Sequence, residues 1–120
     1  MPYELLHYKK HAKKHIHLGI CGSVAAYKSL ELMRAFLKSN IHVSATLTPS
    51  AEKFIQPLCF EALGANKVYG QMFQGEFPFD HLEPSQIADA MVIAPASATT
   101  IARLAHGLGD EMLACQALAF

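Results

Sequence analysis

The sequence lacks several features that would point to a secreted, membrane-bound or nucleic-acid-binding protein. Its 120 residues hold ten basic and ten acidic side chains, so a formal net charge of zero gives no global attraction to a polyanion or an anionic membrane. No continuous apolar stretch resembles a signal peptide or a membrane span. We therefore expect a cytoplasmic protein with no nucleic-acid partner and no membrane partner.

Cysteine is scarce and does not follow a metal-binding or disulfide pattern. Cys21, Cys59 and Cys115 are odd in number, far apart and outside any CxxC pair. This distribution favours reduced thiols over a disulfide frame or a zinc site, and we expect no metal. Cys21 lies in a candidate ligand loop and is a candidate reactive thiol, but for all three cysteines we favour the role of small buried residues.

The amino-terminal segment differs in composition from the rest of the chain. Its only acid is Glu4, while residues 1–17 hold four lysines and four histidines, namely Lys9, Lys10, Lys13, Lys14, His7, His11, His15 and His17. This pattern is compatible with a metal-binding or polyanion-binding arm, but we favour a solvated basic extension over residues 1–14. With 52% hydrophobic residues the chain suffices for one compact core, so we assign residues 15–120 to one domain.

Apolar runs alternate with amphipathic segments from residue 16 onward. Strands are predicted at residues 16–21, 41–47 and 90–94, the last of them buried because it is apolar throughout. Helices are predicted at about residues 24–38, 50–56, 58–63, 98–105 and 110–120, with Ile101 and Leu104 facing inward. Alternating strands and helices predict an α/β fold with a doubly wound parallel sheet.

Residues 65–80 interrupt this alternation. They carry the aromatic residues Tyr69, Phe73, Phe77 and Phe79, with only a weak strand signal at residues 67–69. We predict a loop here. Two interpretations of its aromatic residues stay open. They form a partner surface or a lid over a ligand, or they pack as a small separate hydrophobic cluster over the edge of the sheet.

Small or hydroxyl residues follow each of the three predicted strands. The runs are Cys21-Gly22-Ser23, Thr48-Pro49-Ser50 and, at residues 95–100, PASATT. Ser23 and Thr48 are predicted helix caps. Because parallel strands end at one edge of a sheet, the three runs should meet where helix amino termini attract anions. The sequence therefore predicts a ligand that carries a phosphate.

Two common nucleotide motifs are missing. Only Gly19 and Gly22 precede Ser23, so there is no G-x-G-x-x-G, and the second strand ends in Thr48 rather than an acid. No glycine stands where a P-loop would need it before Lys28. NAD and ATP are therefore disfavoured. FMN remains the candidate, because backbone N–H and hydroxyl groups can hold its phosphate while small residues accommodate its flat ring.

Three stretches of the chain together resemble a known family. They are GICGSVAAYK at residues 19–28, LTPSAEKFI at residues 47–55, and the segment from DHL at residue 80 to APASATT at residue 100. Over residues 15–118 the chain resembles the homo-oligomeric flavin-containing cysteine decarboxylases, the phosphopantothenoylcysteine decarboxylase-like flavoproteins of coenzyme A biosynthesis. The resemblance implies a three-layer α/β/α fold with a flavodoxin-like or Rossmann-like parallel sheet. It also implies bound FMN and a trimer, or four trimers in a dodecamer, with the flavin near a subunit interface.

The same resemblance assigns roles to individual residues. It places Gly22, Ser23 and Val24 in the phosphate-binding turn, Thr48 after the second strand, and four residues beneath the flavin, namely Ala96, Ser97, Ala98 and Thr99. His81 matches the family's catalytic base, which helps to remove a proton while FMN takes a hydride from the carbon bearing sulfur. The resulting thioaldehyde loses carbon dioxide. A histidine suits this role because imidazole exchanges protons near neutral pH.

Two departures from the family pattern keep other functions open. Thr99 replaces an asparagine that orients the substrate carboxylate, and Phe120 precedes the family's fifth strand, its Pro-x-Met-Asn clamp and its reducing cysteine. We expect residues 15–120 to lack that strand and clamp. The candidates are a decarboxylase acting on a small molecule such as 4'-phosphopantothenoylcysteine, a flavin prenyltransferase, whose usual lysine is replaced by Thr99, and a non-catalytic FMN-binding oligomer.

Overall fold

The computed structural model describes residues 13–70 and 79–120. Four parallel strands form one sheet with the order β3-β2-β1-β4. The strands are β1 (His15–Ile20), β2 (His42–Leu47), β3 (Val68–Tyr69) and β4 (Ala90–Ile93). The α-helices of the described residues are α1 (Lys28–Lys38), α2 (Pro57–Ala62), α3 (Glu83–Ile87), α4 (Ala98–His106) and α5 (Met112–Leu118), with short 3₁₀ helices at Val24–Tyr27 and Ala51–Lys53.

One face of the sheet carries the apolar core. Side chains alternate across a strand, so every second residue of β1 and β2 points to this face. Helices α1 and α2 cover it with Met33 and Phe60, both fully buried. The strand residues of this core are Leu18, Ile20, Val43, Ala45 and Leu47.

The other face of the same strands is polar. His17 and Thr46 are fully buried there under α5, and both hydrogen-bond with the Gln116 side chain, at 3.2 and 2.6 Å. At Gly19 the same helix packs so closely that an added Cβ would lie 2.8 Å from the Leu113 side chain. Helices therefore cover both faces of the sheet, and the predicted three-layer α/β/α sandwich is confirmed.

Several predicted elements differ from the structure in length. The helix expected over residues 24–38 begins as the 3₁₀ helix and becomes α-helical at Lys28. The helix expected over residues 50–56 is wrong, because only Ala51–Lys53 forms a 3₁₀ turn before Pro57 opens α2. The weak strand signal at residues 67–69 corresponds to β3, and Gly64, at φ +116°, follows α2 as predicted.

Some predictions of burial were also wrong. β4 is partly exposed, because among the described residues it pairs only with β1. Ile101 points outward and Cys59 is exposed, whereas Cys21 is buried as predicted. His17, which the sequence grouped with the basic amino-terminal segment, lies at the centre of the sheet. Residues 1–12 and the aromatic side chains of Phe73 and Phe77 lie outside the described residues, while Tyr69 is buried and Phe79 exposed.

The strand order creates a crevice at one point of the sheet. The chain passes from β1 outward to β2 and β3, and then returns to place β4 on the opposite side of β1. Open α/β sheets bind ligands outside the carboxyl ends of the strands at such a reversal. The loops after β1 and β4 lie at this position, which is where the sequence predicted a ligand. Among the residues described, no helix combines the length and apolar character that crossing a bilayer requires.

Candidate functional site

The loops after β1, β2 and β4 come together at the carboxyl edge of the sheet. The Cys21 N–H donates a hydrogen bond of 3.1 Å to the Pro95 carbonyl, which ties the loop after β1 to the loop after β4. An added Cβ at Gly22 would lie 2.5 Å from the Ser50 Cβ, so the loop after β2 packs directly against it. The three runs predicted from the sequence are therefore in one place.

Hydroxyl side chains cap the helical segments that begin at this edge. Ser23 accepts from the Ala25 N–H at 3.1 Å, which confirms this predicted cap. Thr48 accepts from the Ala51 N–H at 3.1 Å as a capping side chain, although Ser50 and not Thr48 directly precedes the 3₁₀ turn. Ser97 caps α4 by accepting from the Thr100 N–H at 3.2 Å. Side-chain caps leave other amino-terminal N–H groups of each segment available to an outside acceptor.

A cavity of about 300 Å³ lies between these caps. It is mostly lined by glycine and hydroxyl residues, and two charged side chains complete the wall: Gly22, Thr48, Ser50, Ser97, Thr99, Thr100, Arg103 and Glu111. The Thr100 hydroxyl is itself held by the Cys21 thiol at 3.3 Å and the Ser97 hydroxyl at 3.1 Å. Such a lining can donate several hydrogen bonds to an anionic or polyhydroxylated ligand.

The sequence patterns did not identify Arg103 and Glu111 as site residues. Arg103 lies on α4 three residues after Thr100 and four after Thr99, a spacing that places all three on one helix face. That spacing was a signal the sequence did contain. Glu111 reaches the cavity only because the chain turns back at residues 107–110, and no local pattern predicts such a return.

The two charged residues form an ion pair that leaves one oxygen atom unused. Arg103 donates to Asp110 Oδ1 at 3.2 Å and to Glu111 Oε2 at 3.3 Å. Glu111 Oε1 is shielded from solvent and has no hydrogen-bond partner among the described residues. An unsatisfied buried acceptor is costly, so this oxygen is suited to a ligand that donates a hydrogen bond, such as a sugar-alcohol hydroxyl.

The predicted site residues divide into two groups. Gly22, Thr48, Ser97 and Thr99 line the cavity, whereas Ser23, Val24, Ala96 and Ala98 are their chain neighbours and stand outside its lining. His81 is half-buried in the turn before α3 and does not line the cavity either. Within residues 13–70 and 79–120, no group of three or more His, Cys, Asp or Glu side chains is arranged to hold a metal ion.

This arrangement agrees with a match to a protein family. The family model described as Flavoprotein matches residues 4–120, nearly the whole chain. The chain belongs to the Flavoprotein family. The three capped turns of this flavoprotein therefore lie in the part of the chain that the family model covers.

Known proteins similar to this flavoprotein include enzymes of coenzyme A biosynthesis. It is 43% identical to the coenzyme A biosynthesis bifunctional protein CoaBC of Haemophilus influenzae over 108 residues, which are 88% of this chain and 27% of that protein. It is 39% identical to a probable phosphopantothenoylcysteine decarboxylase of Streptococcus mutans, again over 88% of the chain and over 60% of the relative. The flavoprotein thus spans about a quarter of the first relative and three fifths of the second.

A solved structure shows the same fold. The FMN-dependent cysteine decarboxylase TvaF from thioviridamide biosynthesis superposes with a TM-score of 0.81 at 22% identity, over 90% of this chain and 68% of that one. At this level of identity the likeness supports the three-layer fold of the flavoprotein.

Proposed function

We propose that the chain binds FMN at the carboxyl edge of its sheet and decarboxylates a cysteine-derived carboxylate such as 4'-phosphopantothenoylcysteine. The observation that carries this proposal is the meeting of three capped turns around one hydroxyl-lined cavity at the strand-order reversal. Membership of the Flavoprotein family supports it, as does sequence identity of 43% and 39% to the two relatives named above.

The residues at the edge suit the two polar parts of FMN. Gly22, Ser23 and Val24, together with Thr48, would hold the phosphate through backbone N–H and hydroxyl groups. The unpartnered Oε1 of Glu111 would accept a hydrogen bond from a ribityl hydroxyl. Beneath the ring we place four small residues of the loop after β4, namely Ala96, Ser97, Ala98 and Thr99.

The chemistry would be shared between the cofactor and one side chain. When bound, FMN would supply the two-electron oxidation of the substrate carbon that bears sulfur, and an external oxidant such as dioxygen would take up the two electrons between turnovers. His81 would act as the base that accepts the proton released from the substrate, because imidazole exchanges protons near neutral pH. Thr99 can donate one hydrogen bond from its hydroxyl to the substrate carboxylate, whereas an asparagine amide would offer two N–H donors.

The separation of His81 from the cavity lining supports an oligomer in which the flavin lies near a subunit interface. Large apolar side chains are exposed on the segments that follow β1 and β2: Val24 is 79% exposed, Tyr27 56%, Phe54 56% and Leu58 69%. Exposed apolar surface of this kind marks interaction sites. We propose a homotrimer or a dodecamer in the cytoplasm, and light scattering of the purified protein measures the mass.

A pair of variants at Ser23 tests whether the turn after β1 binds the FMN phosphate. Both Asp and Asn can replace serine as a helix cap, but only Ser23→Asp adds a negative charge beside the phosphate. We expect Ser23→Asp to weaken FMN binding by about tenfold or more, and Ser23→Asn to stay close to the parent, both measured by titration of flavin absorbance. Riboflavin, which lacks the phosphate, should bind parent and Ser23→Asp equally.

Three outcomes would contradict the proposal. If Ser23→Asp binds FMN as tightly as the parent, the turn after β1 does not bind the phosphate. If the parent binds FMN but releases no carbon dioxide from 4'-phosphopantothenoylcysteine, the protein is a flavin-binding oligomer without this activity. Turnover of a prenyl phosphate in the same assay mixture would instead identify a flavin prenyltransferase.

A further inference from the structure

Two carboxylates flank His81 along the chain, and one lysine binds both. Lys67 Nζ lies 3.1 Å from Asp80 Oδ1 and 3.2 Å from Glu83 Oε1. Lys67 directly precedes β3, and its carbonyl accepts from the Ala45 N–H of β2 at 2.9 Å. The turn that carries His81 is thereby connected, on both sides of the histidine, to the edge of the sheet.

The surroundings of this lysine make the two ion pairs stronger than ordinary surface pairs. The Asp80 side chain is only 10% exposed, and the Lys67 and Glu83 side chains are about one third exposed. Tyr69 is buried, lies with its ring 4.5 Å from Lys67 Nζ, and donates a hydrogen bond of 2.6 Å to Glu83. Partial burial reduces screening by water and salt, so the pairs hold the turn more firmly.

The protonation states of Glu83 and Tyr69 favour the contacts of Glu83 with Tyr69 and Lys67. Burial alone would raise the pKa of the Glu83 carboxyl, but the hydrogen bonds from Tyr69 and Lys67 and the lysine charge outweigh it and lower that pKa. Burial and the neighbouring Glu83 and Asp80 raise the pKa of the Tyr69 phenol, which keeps it a hydrogen-bond donor. Glu83 is therefore ionised and Tyr69 protonated at neutral pH.

Hydrogen bonds among the described residues also support this turn. Its backbone is closed by hydrogen bonds from the Leu82 and Glu83 N–H groups to the Phe79 carbonyl, both 2.9 Å, and Gln116 donates to the Asp80 carbonyl at 3.0 Å. The following helix, α3, has five residues. A helix this short is not stable by itself in water, so the position of the turn depends on tertiary contacts.

We propose that Lys67 is a positioning residue for His81, fixing the turn of the base by binding Asp80 before it and Glu83 after it. This rests on the proposed function, in which His81 accepts the substrate proton. A displacement of about 1 Å at a reacting group can reduce turnover by about a hundredfold. Removing the lysine charge should therefore affect turnover while the FMN cavity, which Lys67 does not line, stays intact.

Three variants separate positioning from general structural damage. Lys67→Met removes the charge from a side chain of similar length, whereas Lys67→Arg keeps the positive charge. Lys38→Met removes an exposed lysine from the carboxyl end of α1 and is the matched control. With FMN and 4'-phosphopantothenoylcysteine, we expect Lys67→Met to lower kcat by about ten- to a hundredfold with KM and FMN affinity unchanged. Lys67→Arg should restore most of kcat, and Lys38→Met should match the parent.

Amide hydrogen exchange tests the same inference without turnover. We expect Lys67→Met to accelerate exchange of the Leu82 and Glu83 amides, and Lys67→Arg to return it towards the parent rate. An unchanged exchange rate, or an unchanged kcat, would overturn the positioning role. If the parent protein itself shows no turnover, the proposed decarboxylation fails while exchange still decides whether Lys67 holds the turn.

Discussion

At Gly22 the loop after β1 passes within van der Waals contact of the loop after β2. An added Cβ would lie 2.5 Å from the Ser50 Cβ and 2.9 Å from the Ser50 carbonyl carbon. The nearest atom is the Ser50 Cβ, which does not move when the serine side chain rotates, so a change of rotamer cannot relieve the clash. The two loops can remain adjacent only while residue 22 is glycine.

We therefore predict that Gly22→Ala separates the two loops. Overpacking of this kind costs about 1–3 kcal/mol of folding free energy, and FMN affinity should fall as well because the cavity wall moves. Gly70→Ala is the matched control, since nothing lies within 4 Å of its added Cβ. Urea unfolding and flavin titration measure the two effects, and equal behaviour of the two variants would show that the loops are not in close contact.

At the scale of elements, a buried polar cluster joins β1, β2 and α5. His17 hydrogen-bonds with the Ser44 hydroxyl at 2.7 Å, the Thr46 hydroxyl at 2.8 Å and the Gln116 side chain at 3.2 Å. The Tyr69 ring packs edge-on at 5.4 Å between ring centroids. Burial is the main cause that lowers the pKa of His17 to about 4; the Gln116 hydrogen bond opposes this, and the charge of His15 adds to it.

This shift predicts a pH-dependent stability with a defined sign. The unfolded chain takes up a proton at His17 near the ordinary histidine pKa of about 6.5, whereas the folded chain does so only near pH 4. The unfolded state therefore binds more protons between these values. The free energy of unfolding should fall as the pH drops through that window, by roughly 3 kcal/mol in total.

Urea unfolding between pH 7 and about pH 4.5 measures this dependence. His17→Leu should show a shallower loss of stability with falling pH, although its absolute stability is lower because Ser44 and Thr46 lose a partner. His106→Gln removes an exposed histidine at the end of α4 and should keep the parent slope. The same slope in His17→Leu as in the parent would mean that another group causes the acid sensitivity.

For the molecule as a whole, the sequence predicted the fold class and the meeting of three loops at one edge of the sheet. Apolar runs identified β1, β2 and β4, and their parallel arrangement was enough to bring three capped turns to one edge. The polar face of the sheet was missed, because HIHLGI and HVSATL were read as apolar runs rather than as alternating strands. The exposure of β4 was missed as well, because strand order depends on tertiary pairing.

Local sequence patterns could not predict the Arg103–Glu111 ion pair or the two ion pairs of Lys67. Glu111 is eight residues from Arg103, and Lys67 is thirteen and sixteen residues from its two partners. Such pairs form only when loops return to the sheet, which no helical or strand period encodes. For the same reason the sequence could name His81 only through a family resemblance.

A crystal structure of the full chain with FMN tests the central proposal most directly. We predict that the phosphate lies within hydrogen-bonding distance of the turns after β1 and β2, at Gly22, Ser23 and Thr48, with the ring over residues 96–99. FMN bound elsewhere, or bound with its phosphate directed away from these turns, would contradict the proposal.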